Sequence, residues 1–151
     1  TGKRLKTPKK ESTVRRKENA LWTMMKDTMK VTHPTWIANR LETWLTPGIP
    51  GVLICDHESR FHLVELKFCV SNKVDIRPHQ VSFLSKHKKA NVWLLVKKVT
   101  ELGSKGKLYL YRGDSVVDVA YSGLQTPPYF KISLDEQKDG MVDVLHTIGK
   151  R

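Results

Sequence analysis

Gly48-Ile49-Pro50-Gly51-Val52-Leu53-Ile54-Cys55 and Arg60-Phe61-His62-Leu63-Val64-Glu65-Leu66-Lys67-Phe68, separated by Asp56-His57-Glu58-Ser59, decide the fold. Pro47 to Gly51 cannot prolong a helix, because proline removes a backbone donor and glycine opens unusual backbone angles. Val52 to Cys55 is a short continuous apolar run, as a buried strand requires. The four polar residues after it read as a turn. Arg60 to Phe68 is a second strand, with Phe61, Leu63, Glu65 and Lys67 on one face and His62, Val64 and Leu66 on the other. With Asp56 to Ser59 as the loop, Cys55 pairs with Arg60. Counting back brings Gly51 opposite Val64, next to Glu65.

Glu65 and Lys67 stand two residues apart on one face of an otherwise apolar strand. Buried charges are costly unless they are paired or serve a site. Magnesium prefers carboxylate and carbonyl oxygens and keeps several waters, which such a strand beside another acid can supply. A nearby lysine then orients or deprotonates water and stabilises charge on phosphorus oxygens. By itself the Glu-x-Lys spacing is common, and an ion pair on a half-exposed strand satisfies it equally well.

Outward from this hairpin, Ala20, Leu21, Met24, Met25, Thr28 and Met29 recur at helical spacing, so residues 15–30 are expected to form an amphipathic helix. A second helix is expected from Thr32-His33-Pro34, with proline in the first turn, through Trp36, Ile37, Arg40, Leu41, Trp44 and Leu45. Downstream, Pro78 opens a third helix bearing Gln80, Val81, Phe83, Leu84 and His87. Asn91–Val99 and Lys107–Arg112 read as strands. Ser115–Tyr121 reads as a short helix, Gln125–Tyr129 as a proline-punctuated loop, and Met141, Val142, Leu145 and Ile148 mark a C-terminal helix. The pattern predicts an α/β domain, a mixed sheet flanked by helices.

The 151 residues hold 27 Lys and Arg against 15 Asp and Glu, a formal net charge of +12. That length suits one domain, and 39% apolar content is enough for a core. Eight cations fall in residues 1–17 against the single acid Glu11, which reads as a flexible basic arm ahead of a domain spanning 18–151. A solvated tail is the plain alternative. Such an excess points to a polyanionic partner, most often nucleic acid. No apolar run reaches the roughly 18 residues that span a bilayer, and Cys55 and Cys69 form neither a disulfide framework nor a zinc cluster. An intracellular protein with no membrane partner is expected.

Gly48-Ile49-Pro50-Gly51-Val52-Leu53-Ile54, Val64-Glu65-Leu66-Lys67 and His79-Gln80 at a helix start together resemble the PD-(D/E)xK nuclease superfamily. The likeness is greatest to virus-type replication-repair nucleases and related phage endonucleases, and it covers residues 18–99. The family pattern is a G-x-P-D turn leading into a strand, an E-x-K strand and a helix beginning with glutamine, usually with a glutamate on the first helix. The resemblance implies a restriction-endonuclease-like fold and hydrolysis of DNA phosphodiesters by a magnesium- or manganese-activated water. It assigns Glu65, the Leu66 carbonyl, the residue at position 51 and Glu18 to the ion, Lys67 to the nucleophile, and Gln80 to water or phosphate. It further implies branched, flapped or four-way DNA as substrate, homodimers where two equivalent cuts are made, and host cytoplasm for a viral member.

One position departs from the pattern. Gly51 stands where the family has its metal-binding aspartate, and it has no side chain to bind with. Asp56 lies five residues along the strand, about 16 Å away at roughly 3.3 Å per residue, too far to replace it. Gly51 marks either a deliberately inactivated variant or a natural protein that binds DNA without cutting. Retention of Glu65, Lys67 and Gln80 favours the first. A non-catalytic nucleic-acid-binding module on the same fold is the main alternative, and a basic structural protein with a chance motif is the third.

Glu18 equally suits an ordinary helix surface, and Glu42 in Arg40-Leu41-Glu42-Thr43 competes for the helix-glutamate role. Lys86, Lys88 and Lys89 with His87 form a basic patch, extended by Lys73 and Arg77. Together with Arg15, Arg16 and His79 these are the candidate phosphate contacts. The four tryptophans occupy packing positions rather than stacking ones.

Overall fold

The computed structural model describes residues 6–41 and 48–150, with side chains from residue 13 onward. The first helix, α1 (Lys6–Thr32), buries Leu21, Met25 and Met29, one per turn along a single stripe. It starts earlier than the expected residue 15, so residues 6–17 of the segment read as an arm continue the helix. The helix stops at Thr32, ahead of Pro34. The His33 amide still reaches the Met29 carbonyl at 2.8 Å, and the Trp36 amide then turns back to the His33 carbonyl at 3.0 Å.

The second helix expected from Thr32 to Leu45 is corrected by the structure. Ile37–Arg40 is an edge strand, β1, antiparallel to β2 (Val52–Cys55), with Ile37 opposite Cys55 and Arg40 opposite Val52. Sheet pairing overrides the weak helical spacing there, and Trp36 is buried in the core instead of on a helix face. Residues 42–47, with Glu42, Trp44 and Leu45, lie outside the described residues.

β3 (Phe61–Cys69) pairs antiparallel with β2; α2 (Pro78–Lys86) then crosses over, and β4 (Val92–Lys98) runs parallel to β3. β5 (Lys107–Arg112) and β6 (Phe130–Ser133) extend the sheet antiparallel, in spatial order β1 to β6. β6 falls just after the loop read from the prolines and was not expected as a strand. α3 (Val116–Ser122) and α4 (Gly140–Gly149) match the two short helices read from the sequence.

The result is a six-stranded mixed sheet flanked by helices. One core holds Val52, Ile54, Val64, Leu66, Trp93 and Leu95 from the sheet against Met25 of α1 and Leu145 of α4. The other holds Leu94, Val96, Tyr109 and Tyr111 against Leu84 of α2 and Val119 of α3. Residues 64 and 66 thus face the first core and 63 the second, as the alternation of Arg60–Phe68 requires. No helix among the described residues is long and apolar enough to cross a membrane.

The β2–β3 register is one residue off the sequence count. Cys55 pairs with Phe61 and Val52 with Val64. The Asp56 amide bonds the Arg60 carbonyl at 2.9 Å, so the loop between them is three residues long and ends on Ser59 in the left-handed region (φ 62). The Asp56 carboxylate closes this turn by accepting the Glu58 and Arg60 amides at 2.8 and 3.0 Å, and it also accepts His62 Nε2 at 2.8 Å. Continued by one residue, the register sets Gly51 opposite Glu65 itself rather than Val64.

Candidate active site

Three local features bring the site together. The first is the end of β2. Its pairing with β3 stops at Val52–Val64, whereas β3 runs on to Cys69 with β4 alone. The Leu63 amide and the Cys69 carbonyl both bond on the β4 side, and backbone groups alternate along a strand. The Leu66 carbonyl therefore turns to the opposite side, where β2 has ended.

The second is the turn before β2. Gly48 adopts φ +93, and a Cβ there would lie 2.5 Å from the His79 carbonyl oxygen. Only glycine lets this turn seat itself against the first turn of α2. That contact sets Gly51 beside both β3 and the start of α2.

The third is the α2 N-terminus. Pro78 occupies its beginning, and the Gln80 Oε1 accepts the Arg77 amide at 3.0 Å. With its oxygen fixed inward, Gln80 directs its Nε2 to Glu65 Oε2 at 3.4 Å. A residue with a capping role thus also reaches the candidate carboxylate.

Glu65 is buried, at 8% exposure, with Lys67 Nζ 3.9 Å from its Oε2. Burial pushes its carboxyl up to about 7; Lys67 opposes the rise, Glu18 adds to it, and the Gly51 amide and Arg40 oppose it. Glu18 on α1 is half-buried, and its carboxyl is raised too, by burial against the pull of Lys67, Arg40, Arg77 and Arg15. Two desolvated carboxyls within electrostatic reach, each held above its ordinary value by burial despite nearby cations, mark a perturbed site.

Of the residues singled out from the sequence, Glu65, Lys67, Gln80, Gly51 and Glu18 therefore meet, and Arg77 and Arg15 lie within electrostatic reach. Arg16, Lys73 and His79 are exposed. Lys86, Lys88 and Lys89 are exposed at or beyond the far end of α2, and Lys86 lies six residues from Gln80, about 9 Å at 1.5 Å per residue. They do not adjoin Glu65. Arg40 is the residue that sequence reasoning missed, because its spacing reads as part of the expected second helix rather than of the edge strand β1. Its Nε lies 3.8 Å from where a Gly51 Cβ would be.

The oxygen donors here are of the type that magnesium or manganese takes. Two carboxylates and one carbonyl can bind an ion that keeps the rest of its water. Among the described residues, however, no group of three or more His, Cys, Asp and Glu side chains is placed to hold a metal. Position 51 has room for a side chain, since a Cβ there meets nothing closer than Arg40 and the backbone is outside the left-handed region. No known protein-family model matches the chain, and a search of curated proteins finds no match either.

Proposed function

We propose that this chain has the fold and most of the site of a metal-dependent DNA endonuclease of the PD-(D/E)xK type, with its own cutting impaired at Gly51. One observation carries the reading: Glu65, Lys67 and Gln80 converge beside the Gly51 amide, with Glu18 of α1 within electrostatic reach. The succession of a first helix, a three-stranded meander, a crossover helix and a parallel strand supports it.

In this reading Glu65, the Leu66 carbonyl and Glu18 hold the ion. A bound divalent ion supplies a more acidic water and neutralises charge on the phosphoryl oxygens. Lys67 stands on the same strand face to take the proton of the attacking water and then offset charge on the phosphate. Gln80 orients water or phosphate at the α2 N-terminus, where the helix dipole favours an anion. The basic surface holds the DNA, branched or flapped, and a homodimer makes paired cuts at a four-way junction.

The second reading is a non-catalytic nucleic-acid-binding module, favoured by the absent side chain at Gly51 itself. Incubating the chain and its Gly51→Asp variant with branched and linear DNA, in magnesium or manganese, separates the two. Cleavage by the variant supports the nuclease reading. No cleavage by either protein, with the ion shown to bind the variant, rejects it.

A further inference from the structure

A second cleft of about 620 Å³ lies where the end of α2, the end of β5 and the Pro127-Pro128-Tyr129 loop meet. Its lining presents Lys88, Lys89 and Arg112 against the single acid Asp114. Gly113 explains the close approach of these elements: a Cβ there would lie 2.6 Å from Val92 Cγ2, 2.8 Å from the Leu84 carbonyl and 3.1 Å from Lys88 Cα. Glycine thus lets the end of α2 close on β5 and puts Lys88 next to Arg112.

Arg112 is held in an unusual way. Its guanidinium lies over the Trp93 ring at 5.4 Å and over the Tyr129 ring at 5.8 Å, and these two rings meet edge to face at 5.6 Å. Among the described residues no carboxylate pairs with Arg112, Lys88 or Lys89, and no side-chain hydrogen bond occupies them. A planar cation oriented by aromatic faces, with its N–H fork unused, is preorganised for bidentate contact with phosphate. Tyr129 is 53% exposed and is anchored by its amide on the Leu110 carbonyl at 2.8 Å, so it offers a fixed ring for a base to stack on.

We propose that this cleft binds a single strand of nucleic acid, with backbone phosphate on Arg112, Lys88 and Lys89 and a base on Tyr129. The inference rests on the nucleic-acid half of the reading above, and it adds a subsite at the opposite end of α2 from Glu65. A bound strand would be gripped beyond the C-terminal end of α2, whose span from Gln80 to Lys86 is about 9 Å. A single-stranded flap or an opened branch arm matches it better than uninterrupted duplex, in which bases are not free to stack on a protein ring.

The test is fluorescence anisotropy of the full chain with a labelled single-stranded oligonucleotide of about 12 nucleotides, titrated from about 50 to 200 mM salt. Lys88→Gln/Lys89→Gln, a change of exposed side chains, is expected to weaken binding at least about tenfold and to lower the salt slope by about 1 to 2. Tyr129→Ala is expected to weaken it about tenfold, and Tyr129→Phe to restore it. Unchanged affinity and slope in folded variants would overturn the proposal. Lost affinity in the cleft variants, together with a cleft-intact Gly51→Asp protein that binds the ion and does not cut, would support the cleft while rejecting the nuclease reading.

Discussion

The backbone amide of Gly51 lies close enough to the Glu65 carboxylate to oppose the rise in its proton affinity, at the point where β2 leaves β3. A side chain at position 51 would therefore enter beside Glu65, within reach of Arg40. Gly51 thus sits beside the Glu65 carboxylate, within the candidate site and not at its edge. Its amide and Arg40 partly offset the negative charge that a bound cation would otherwise balance.

Replacing Glu65 follows directly. Its carboxyl titrates near 7 in the folded chain against an ordinary 4.5, so the folded state binds the extra proton between these values. Stability from this group is greatest below pH 4.5 and is lost as pH rises through 7. Glu65→Gln is expected to stabilise the fold by about 1 to 3 kcal/mol at pH 8, read by urea unfolding, and to have little effect at pH 4.5.

His33 responds in the opposite direction. Burial first, then His146 and His57, lower its tendency to protonate. The Thr32 hydroxyl donates to the Thr28 carbonyl and must accept from His33 Nδ1, which leaves the buried Nε2 without a partner. Its contribution is complete above pH 6.5 and falls as the solution acidifies below it. Because the Glu65 and His33 slopes oppose each other between pH 4.5 and 6.5, single variants are needed. His33→Gln should flatten the acid side of the stability curve while leaving the slope above pH 6.5 intact.

Asp56 is expected to act on stability alone. Burial pushes its carboxyl up, but His62, the Arg60 and Glu58 amides and the Arg60 guanidinium together hold it far below the usual carboxylate range. His62 in turn accepts Trp93 Nε1–H at 3.2 Å, which ties the hairpin to β4. Asp56→Ala should cost about 3 kcal/mol in urea unfolding, because it leaves the buried His62 Nε2–H without its acceptor and removes the two amide bonds that close the turn. It should leave Glu65 chemistry unaltered in any sample still folded.

Gly48→Ala tests how the site is positioned. The substitution strains a backbone at φ +93 and meets the His79 carbonyl. A loss of about 1 to 3 kcal/mol is expected, together with weaker ion binding in the Gly51→Asp background. Normal binding in that double variant would show that the turn does not set the site.

The sequence made Glu65, Lys67 and Gln80 legible because strand alternation and a proline-led helix start are local signals. Edge strands are not: β1 has a partner on one side only, and Ile37 and Arg40 happen to fit helical spacing too. β6 follows two prolines that dominated its neighbourhood. The register slipped by one because Ser59 takes a left-handed conformation and Asp56 pairs with Arg60, a closure that the order of polar residues does not reveal. Arg40 stayed hidden with β1. The opposite-end placement of Lys88 and Lys89 was hidden because adjacency in sequence to α2 is not adjacency to Glu65.

The most direct measurement is calorimetric titration of manganese into the parent chain, Gly51→Asp and Gly51→Asp/Glu65→Gln at pH 7 and 8. Gly51→Asp is expected to bind the ion at least about tenfold more tightly than the parent, with affinity rising between the two pH values as the Glu65 proton is displaced. Glu65→Gln should abolish the gain. Equal affinity in the parent and Gly51→Asp, or a gain that survives Glu65→Gln, would contradict the site.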